Sequence, residues 1–123
     1  MFLQLPHTQF NVFKKTRELV LEVYKITGCF PPDERFCLTQ QLRRAALSAH
    51  LNVGEGFSRK SMNERKRFFE ISRGSVVEVD TGLDIASELN YCTPDNLINL
   101  EICIEDGFRQ LSALINAASK THP

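Results

Sequence analysis

Ser48, Asn52, Glu55 and Arg59 recur at steps of four, three and four, a spacing that projects all four along one side of a helix. A hydroxyl, an amide, a carboxylate and a guanidinium in line could form a ligand or active-site row. A structural use fits the same spacing. Glu55 and Arg59 stand where an i,i+4 ion pair forms, and Asn52 can bind backbone or side chains at a helix contact. Arg44 is a further candidate partner for Glu55, from a facing helix or from another subunit.

A second set of residues could neutralise phosphates. Arg43, Arg44, Arg59, Lys60, Arg65, Lys66, Arg67 and Arg73 crowd one stretch of sequence, and lysine and arginine supply the sequence-independent part of nucleic-acid affinity. The chain carries no net charge, with 15 basic and 15 acidic residues, yet the two signs are segregated. Residues 35–73 hold nine basic residues against three acidic ones, and residues 74–123 hold two against eight. Such asymmetry is associated with interaction surfaces. The alternative is a solvated helix face, paired in part with the acidic half of the same chain or of a neighbouring subunit. No RRM, KH or helix-turn-helix signature accompanies the cations. Phe57, Phe68 and Phe69 lie among them and could stack on unpaired bases, although helical spacing assigns Phe69 to a core.

Other chemistries lack their parts. Nucleophilic catalysis needs a serine or cysteine beside a base that is itself held in place, and His7, His50 and His122 are scattered. Cys29, Cys37, Cys92 and Cys103 contain no C-x-x-C pair and form no zinc spacing with the histidines, so free thiols are expected, and neither metal nor cofactor. Val53-Gly54-Glu55-Gly56 lacks the strand–loop–helix setting of a phosphate loop. The protein is expected not to be an enzyme.

The elements that carry these residues follow from periodicity. A helix is expected over 8–27, capped by Thr8 and closed by Gly28 in a left-handed conformation, with Val12, Leu19, Val23 and Ile26 in one stripe. Phe30-Pro31-Pro32-Asp33-Glu34 reads as a turn. A second helix over 38–57 repeats Leu42, Ala46, Ala49 and Val53, and its small residues Ala45, Ser48, Gly54 and Gly56 invite a close neighbour. Ser61-Met62-Asn63-Glu64 matches a capping box that opens a third helix over 62–91, with a seam of Phe69, Ser72, Val76, Val79, Leu83 and Ala86. Thr93-Pro94-Asp95 starts a fourth over 94–119, with Leu97, Leu100, Ile104, Phe108, Leu111, Ile115 and Ala118 as its stripe. Short connections make the neighbours antiparallel, so the expected fold is all-α, an up-and-down antiparallel four-helix bundle in one domain over 1–123. With 42% hydrophobic and 24% charged residues, the whole length is expected to fold. Met1-Phe2-Leu3-Gln4-Leu5-Pro6 does not read as a secretory signal and no stretch is long enough for a membrane span, which gives a cytoplasmic expectation.

Leu38-Thr39-Gln40-Gln41-Leu42-Arg43-Arg44-Ala45-Ala46, then Asn52-Val53-Gly54-Glu55-Gly56 and Arg59, then Phe69, Arg73-Gly74-Ser75 and Glu78 form a recognisable series. Tyr24-Lys25 and Phe30-Pro31 before Glu34 fit upstream, and Leu89-Asn90-Tyr91 fits downstream. Over nearly its whole length the chain resembles the four-helix-bundle proteins encoded in intervening sequences of 23S ribosomal RNA genes. It departs mildly, with Val53-Gly54 where many relatives carry isoleucine-alanine and Phe10 in the place of an early tryptophan. The resemblance implies a non-enzymatic bundle that assembles into a ring-like homo-oligomer, pentameric in relatives. The accessory proteins of diversity-generating retroelements look like a distant branch, and they bind nucleic acid and a reverse transcriptase through a basic surface. The expected partners are therefore further copies of this chain, with RNA, DNA or an unidentified protein as candidates. The rival expectation is a structural oligomer that binds no nucleic acid.

Overall fold

The computed structural model describes residues 2–120, and His122 lies outside them. Four helices make up the fold: α1 (Asn11–Thr27), α2 (Leu38–Ser58), α3 (Met62–Glu88) and α4 (Ile98–Lys120). Three short 3-10 turns, Pro6–Gln9, Pro32–Glu34 and Pro94–Leu97, each begin on a proline and precede α1, α2 and α4. Proline lacks the amide donor that a first turn leaves unused and already holds the required φ.

Each helix packs against its neighbours in sequence, and α4 closes the square against α1. The contacts fix the directions. Late in α1, Thr27 meets Arg43 early in α2, whereas Phe10, just before α1, stacks on Phe57 late in α2. Along α2 and α3, Ala49 meets Ser72 and Ser48 meets Ser75. Arg73 on α3 reaches Ser112 on α4, and Lys15 on α1 reaches Asp106 on α4. Every adjacent pair is therefore antiparallel, and the fold is the expected all-α up-and-down bundle.

The core follows the apolar stripes of α1, α2 and α3. Val12, Leu19, Val23 and Ile26 are buried on α1, as are Leu42, Ala46, Ala49 and Val53 on α2. All six residues of the α3 seam are buried. On α4 the stripe is rotated from its expected line: Leu100, Cys103, Gly107, Leu111, Ile115 and Ala118 are buried, Ile104 and Leu97 are only half-buried, and Phe108 is exposed. Hydropathy favoured the large side chains, while the packing surface runs over a cysteine and a glycine one position earlier.

Helix ends account for the other differences. Thr8 does not cap α1. Its hydroxyl donates to the Leu5 carbonyl at 2.7 Å within the first 3-10 turn, and α1 starts after extended Phe10 with no side-chain cap. Gly28 is right-handed (φ −61°), so no left-handed residue closes α1. The left-handed position lies at Asn90 instead (φ 61°), where Tyr91 N–H donates to the Ala86 carbonyl and Asn90 N–H to that of Ser87. That is a Schellman closure, and it stops α3 at Glu88 rather than Tyr91. At the start of α3 Ser61 Oγ accepts from Glu64 N–H at 3.4 Å. A reciprocal capping box forms before α4, between Thr93 and Asn96.

Candidate nucleic-acid interface

The row on α2 divides into two halves with different uses. Asn52 Nδ2 donates to the Ser48 carbonyl (2.8 Å) and lies 3.2 Å from Ser48 Oγ, which accepts from Ser75 Oγ of α3 at 2.8 Å. Those groups are satisfied within the α2–α3 contact. Four residues further on, Arg59 Nη2 pairs with Glu55 Oε2 at 3.0 Å on the surface. Arg44 precedes Glu55 by three turns of the same helix, about 16 Å along its axis at 1.5 Å per residue, so the two do not meet within the chain.

Three of the eight cations hold the bundle together. Arg43 Nε donates to Thr27 Oγ1 (2.8 Å), its Nη2 donates to the Tyr24 carbonyl (3.4 Å), and its guanidinium lies 4.5 Å from the Tyr24 ring centre. A cation thus sits on the carbonyl end of α1, where the helix dipole favours it. Arg65, in the first turn of α3, does the same for α2: its Nε donates to the Arg59 carbonyl at 2.7 Å and its Nη2 to the Phe57 carbonyl at 3.4 Å. Arg73 crosses to α4, where Nη1 donates to Ser112 Oγ (3.1 Å) and the guanidinium lies over Phe108.

Of the remaining cations, Arg59, Lys60, Lys66 and Arg67 lie around the turn that joins α2 to α3, whereas exposed Arg44 lies near the start of α2, toward the other end of the bundle. Phe68, half-buried, has the Arg59 guanidinium 4.8 Å and that of Arg67 5.7 Å from its ring centre. Among the described residues Lys60, Lys66, Arg67 and Arg44 have no ion-pair partner, and none of the ion pairs joins residues 35–73 to residues 74–120. The acidic side chains Asp80, Asp84, Glu101 and Glu105 instead line a groove between α3 and α4. The charge segregation of the sequence is therefore retained in the folded chain and not neutralised internally.

Phe69 is buried against Gly56, whereas Phe57 is half-buried and stacks face to face on exposed Phe10, with ring centres 4.1 Å apart and planes within 4°. Beside that stack, α1 and α4 border an apolar groove that reaches Leu114 and is edged by Asn11 and Gln110. Sequence periodicity gave no hint of this groove, because its two sides come from opposite ends of the chain.

The side chains with catalytic potential are otherwise engaged. His50 Nδ1 lies 2.8 Å from Thr16 Oγ1, and its ring tilts against Phe13. Burial, with Arg17 and His7 adding to it, lowers its pKa to about 4, so the imidazole is neutral at pH 7. The Cys103 thiol, 3.7 Å from Glu18 Oε2, is pushed up to about 11 by burial and then by that carboxylate, which keeps it protonated. All four cysteines are free, Cys29 and Cys37 at the surface and Cys92 and Cys103 inside. Among the described residues no three His, Cys, Asp or Glu side chains converge as metal ligands, and no helix is long and apolar enough to cross a membrane.

A search of curated proteins returned no match. A family model does match, over residues 8–115, which takes in all of α1, α2 and α3 and most of α4. The chain belongs to the 23S rRNA-intervening sequence protein family.

Proposed function

We propose that this protein is a non-enzymatic, self-associating bundle of the cytoplasm that binds RNA or another nucleic acid through the cationic end formed where α2 turns into α3. The observation that carries the reading is the absence, among the described residues, of any ion pair between the basic and acidic stretches. Charges left unpaired at close spacing raise the local potential and attract a polyanion, and each phosphate bound releases counterions. Lys60, Lys66 and Arg67 are the residues assigned to phosphate contact. Arg59 assists from its pair with Glu55, whereas Arg44, about 22 Å away along the axis of α2, lies apart from this end. Arg43, Arg65 and Arg73 serve chiefly to hold the helices.

Self-association has its own support. Val77 and Phe108 on the α3–α4 face, and Leu21, Ile98 and Ile102 on the α1–α4 face, are large apolar side chains between 43% and 53% exposed. Patches of that kind on a small protein mark contact surfaces. The family resemblance adds a ring-like homo-oligomer, a pentamer, as the form of assembly. The rival reading is an oligomer in which the cationic end of one copy meets the acidic α3–α4 groove of the next and nucleic acid plays no part. The free acidic groove favours it.

Salt separates the two. Fluorescence anisotropy with a short structured RNA and a single-stranded DNA, at two salt concentrations, is expected to show binding that weakens steeply as salt rises. Changing Lys60, Lys66 and Arg67 together to Glu should abolish it while light scattering reports the same assembly. Loss of assembly in that variant, with no nucleic acid bound by the parent at low salt, would establish the rival.

A further inference from the structure

Resting on the nucleic-acid reading, we infer that the groove between the start of α1 and the end of α4 is a pocket for one unpaired nucleobase, so that the ligand is a single strand and not a duplex. The groove has a volume of about 300 Å³ and is shallow and broadly open to solvent. Its lining is almost wholly apolar and comes from Phe10, Val12, Phe57, Ala113 and Leu114, with Asn11 and Gln110 also bordering it. An apolar lining bordered by a few polar groups is what a planar heterocycle requires. Side-chain amides carry both donors and an acceptor, as base edges do.

Its position gives the groove an occupant. Phe10 stacks on Phe57, the Phe57 carbonyl accepts from Arg65, Arg65 also holds the Arg59 carbonyl, and Arg59 lies over Phe68 beside Arg67. An unbroken run of contacts therefore joins the aromatic pair to the cationic end. Phe10 is 47% exposed, and its rigid partner Phe57 holds the ring in place for a further stacked layer. The groove is also lined by the first residues of α1, a helix that starts with no side-chain cap and no acid in its first turn. The positive end of its dipole is left to an anion. Cations that track a backbone, next to an aromatic face open to a base, are the two parts of a single-strand site. A duplex keeps its bases stacked inside and can use only the cations.

The test measures anisotropy of a 12-nucleotide single-stranded RNA and of the same RNA annealed to its complement, at matched salt. A second reporter is a 2-aminopurine within the strand, whose fluorescence is quenched on stacking. Single-strand binding at least tenfold tighter than duplex binding, with quenching of the aminopurine, is expected. Phe10→Ala should weaken single-strand binding by roughly five- to a hundredfold, the range of one base stacked on an aromatic ring, and leave the salt slope unchanged. Lys66→Glu with Arg67→Glu should flatten that slope. Because Phe10→Ala also removes a ring from Phe57, Ala113→Leu gives a second variant that fills the groove from exposed Ala113 and spares the stack; it should cause a comparable loss. Equal affinity for strand and duplex, or wild-type binding by both Phe10→Ala and Ala113→Leu, overturns the base pocket and leaves the nucleic-acid reading standing. No binding of either RNA by the parent protein overturns both. A changed mass in light scattering for Ala113→Leu, with affinity intact, assigns the groove to a contact between copies and also overturns the pocket.

Discussion

The two long faces of α3 contrast sharply. Toward α2 the helices touch through small residues: a Cβ on Gly56 would lie 2.5 Å from the Phe69 ring, and one on Gly82 would lie 2.6 Å from Leu42 Cδ2. Ser72 donates to the Ala49 carbonyl at 2.6 Å and Ser75 donates to Ser48, so the buried polar groups there are satisfied across the contact. Toward α4 the helices stand further apart. A Cβ on Gly107 of α4 would meet nothing within 4 Å, and Val77 and Phe108 are left half-exposed over a groove; Gly74, on the solvent side of α3, likewise has open space around it. One helix thus has a closed face that sets the fold and an open face available for association. Glycine in a helix has opposite meanings on the two: a steric need toward α2 and only a conformational cost toward α4.

The sharpest way to break this contrast is to add one methyl group at each position. Gly56→Ala should destabilise by about 1–2 kcal/mol, since overpacking against a ring outweighs the helix-propensity gain of alanine. Urea unfolding checks this, and unchanged or raised stability would show that the α2–α3 contact is looser than described. Gly74→Ala and Gly107→Ala should each stabilise by roughly 0.5–1 kcal/mol in the same assay, the cost of glycine being removed with no clash. Ser72→Ala sharpens the polar side of the comparison. It should cost about 1 kcal/mol by removing a buried hydrogen bond. A neutral result would assign the α2–α3 contact to packing alone.

A pH-dependent effect concerns the opposite side of α2, where His50 meets α1. Its folded pKa of about 4 lies below the ordinary 6.5, so between those values the unfolded chain holds a proton that the folded chain does not. Stability is therefore complete above pH 6.5 and is lost as pH falls toward 4. Melting temperatures across that range should show the decline. His50→Phe, which keeps a ring against Phe13 and cannot titrate, should reduce its slope.

The sequence disclosed the closed face better than the open one. The three-four repeat from Phe69 to Ala86 identified α3's buried seam, and the run of small residues in α2 identified its close neighbour, because regular spacing carries that information directly. On α4 the same method selected Ile104 and Phe108 for their size, although Cys103 and Gly107 face the core. Hydropathy ranks side chains and cannot tell which of two adjacent stripes is inward when one contains glycine. Asn90 in a left-handed turn was missed because glycine is the usual marker and Gly28 stood as the more obvious candidate. Eight cations were legible as a cluster. That Arg43 and Arg65 cap carbonyl ends was not, since backbone acceptors leave no trace in residue identity. Phe10, Asn11 and Gln110 were not recognised as one groove, because a hundred positions of sequence lie between its sides.

Because adjacent helices alternate in direction, α1 begins, α2 gives way to α3, and α4 finishes at one and the same end of the bundle. An affinity handle, fusion partner or surface tether attached beyond either outer helix therefore crowds the cationic end and weakens whatever is measured there. The connection between α1 and α2 lies at the far end and carries two exposed thiols, Cys29 and Cys37. Maleimide chemistry on one of them, with the other changed to serine, anchors or labels the molecule from behind and leaves that end open to solution.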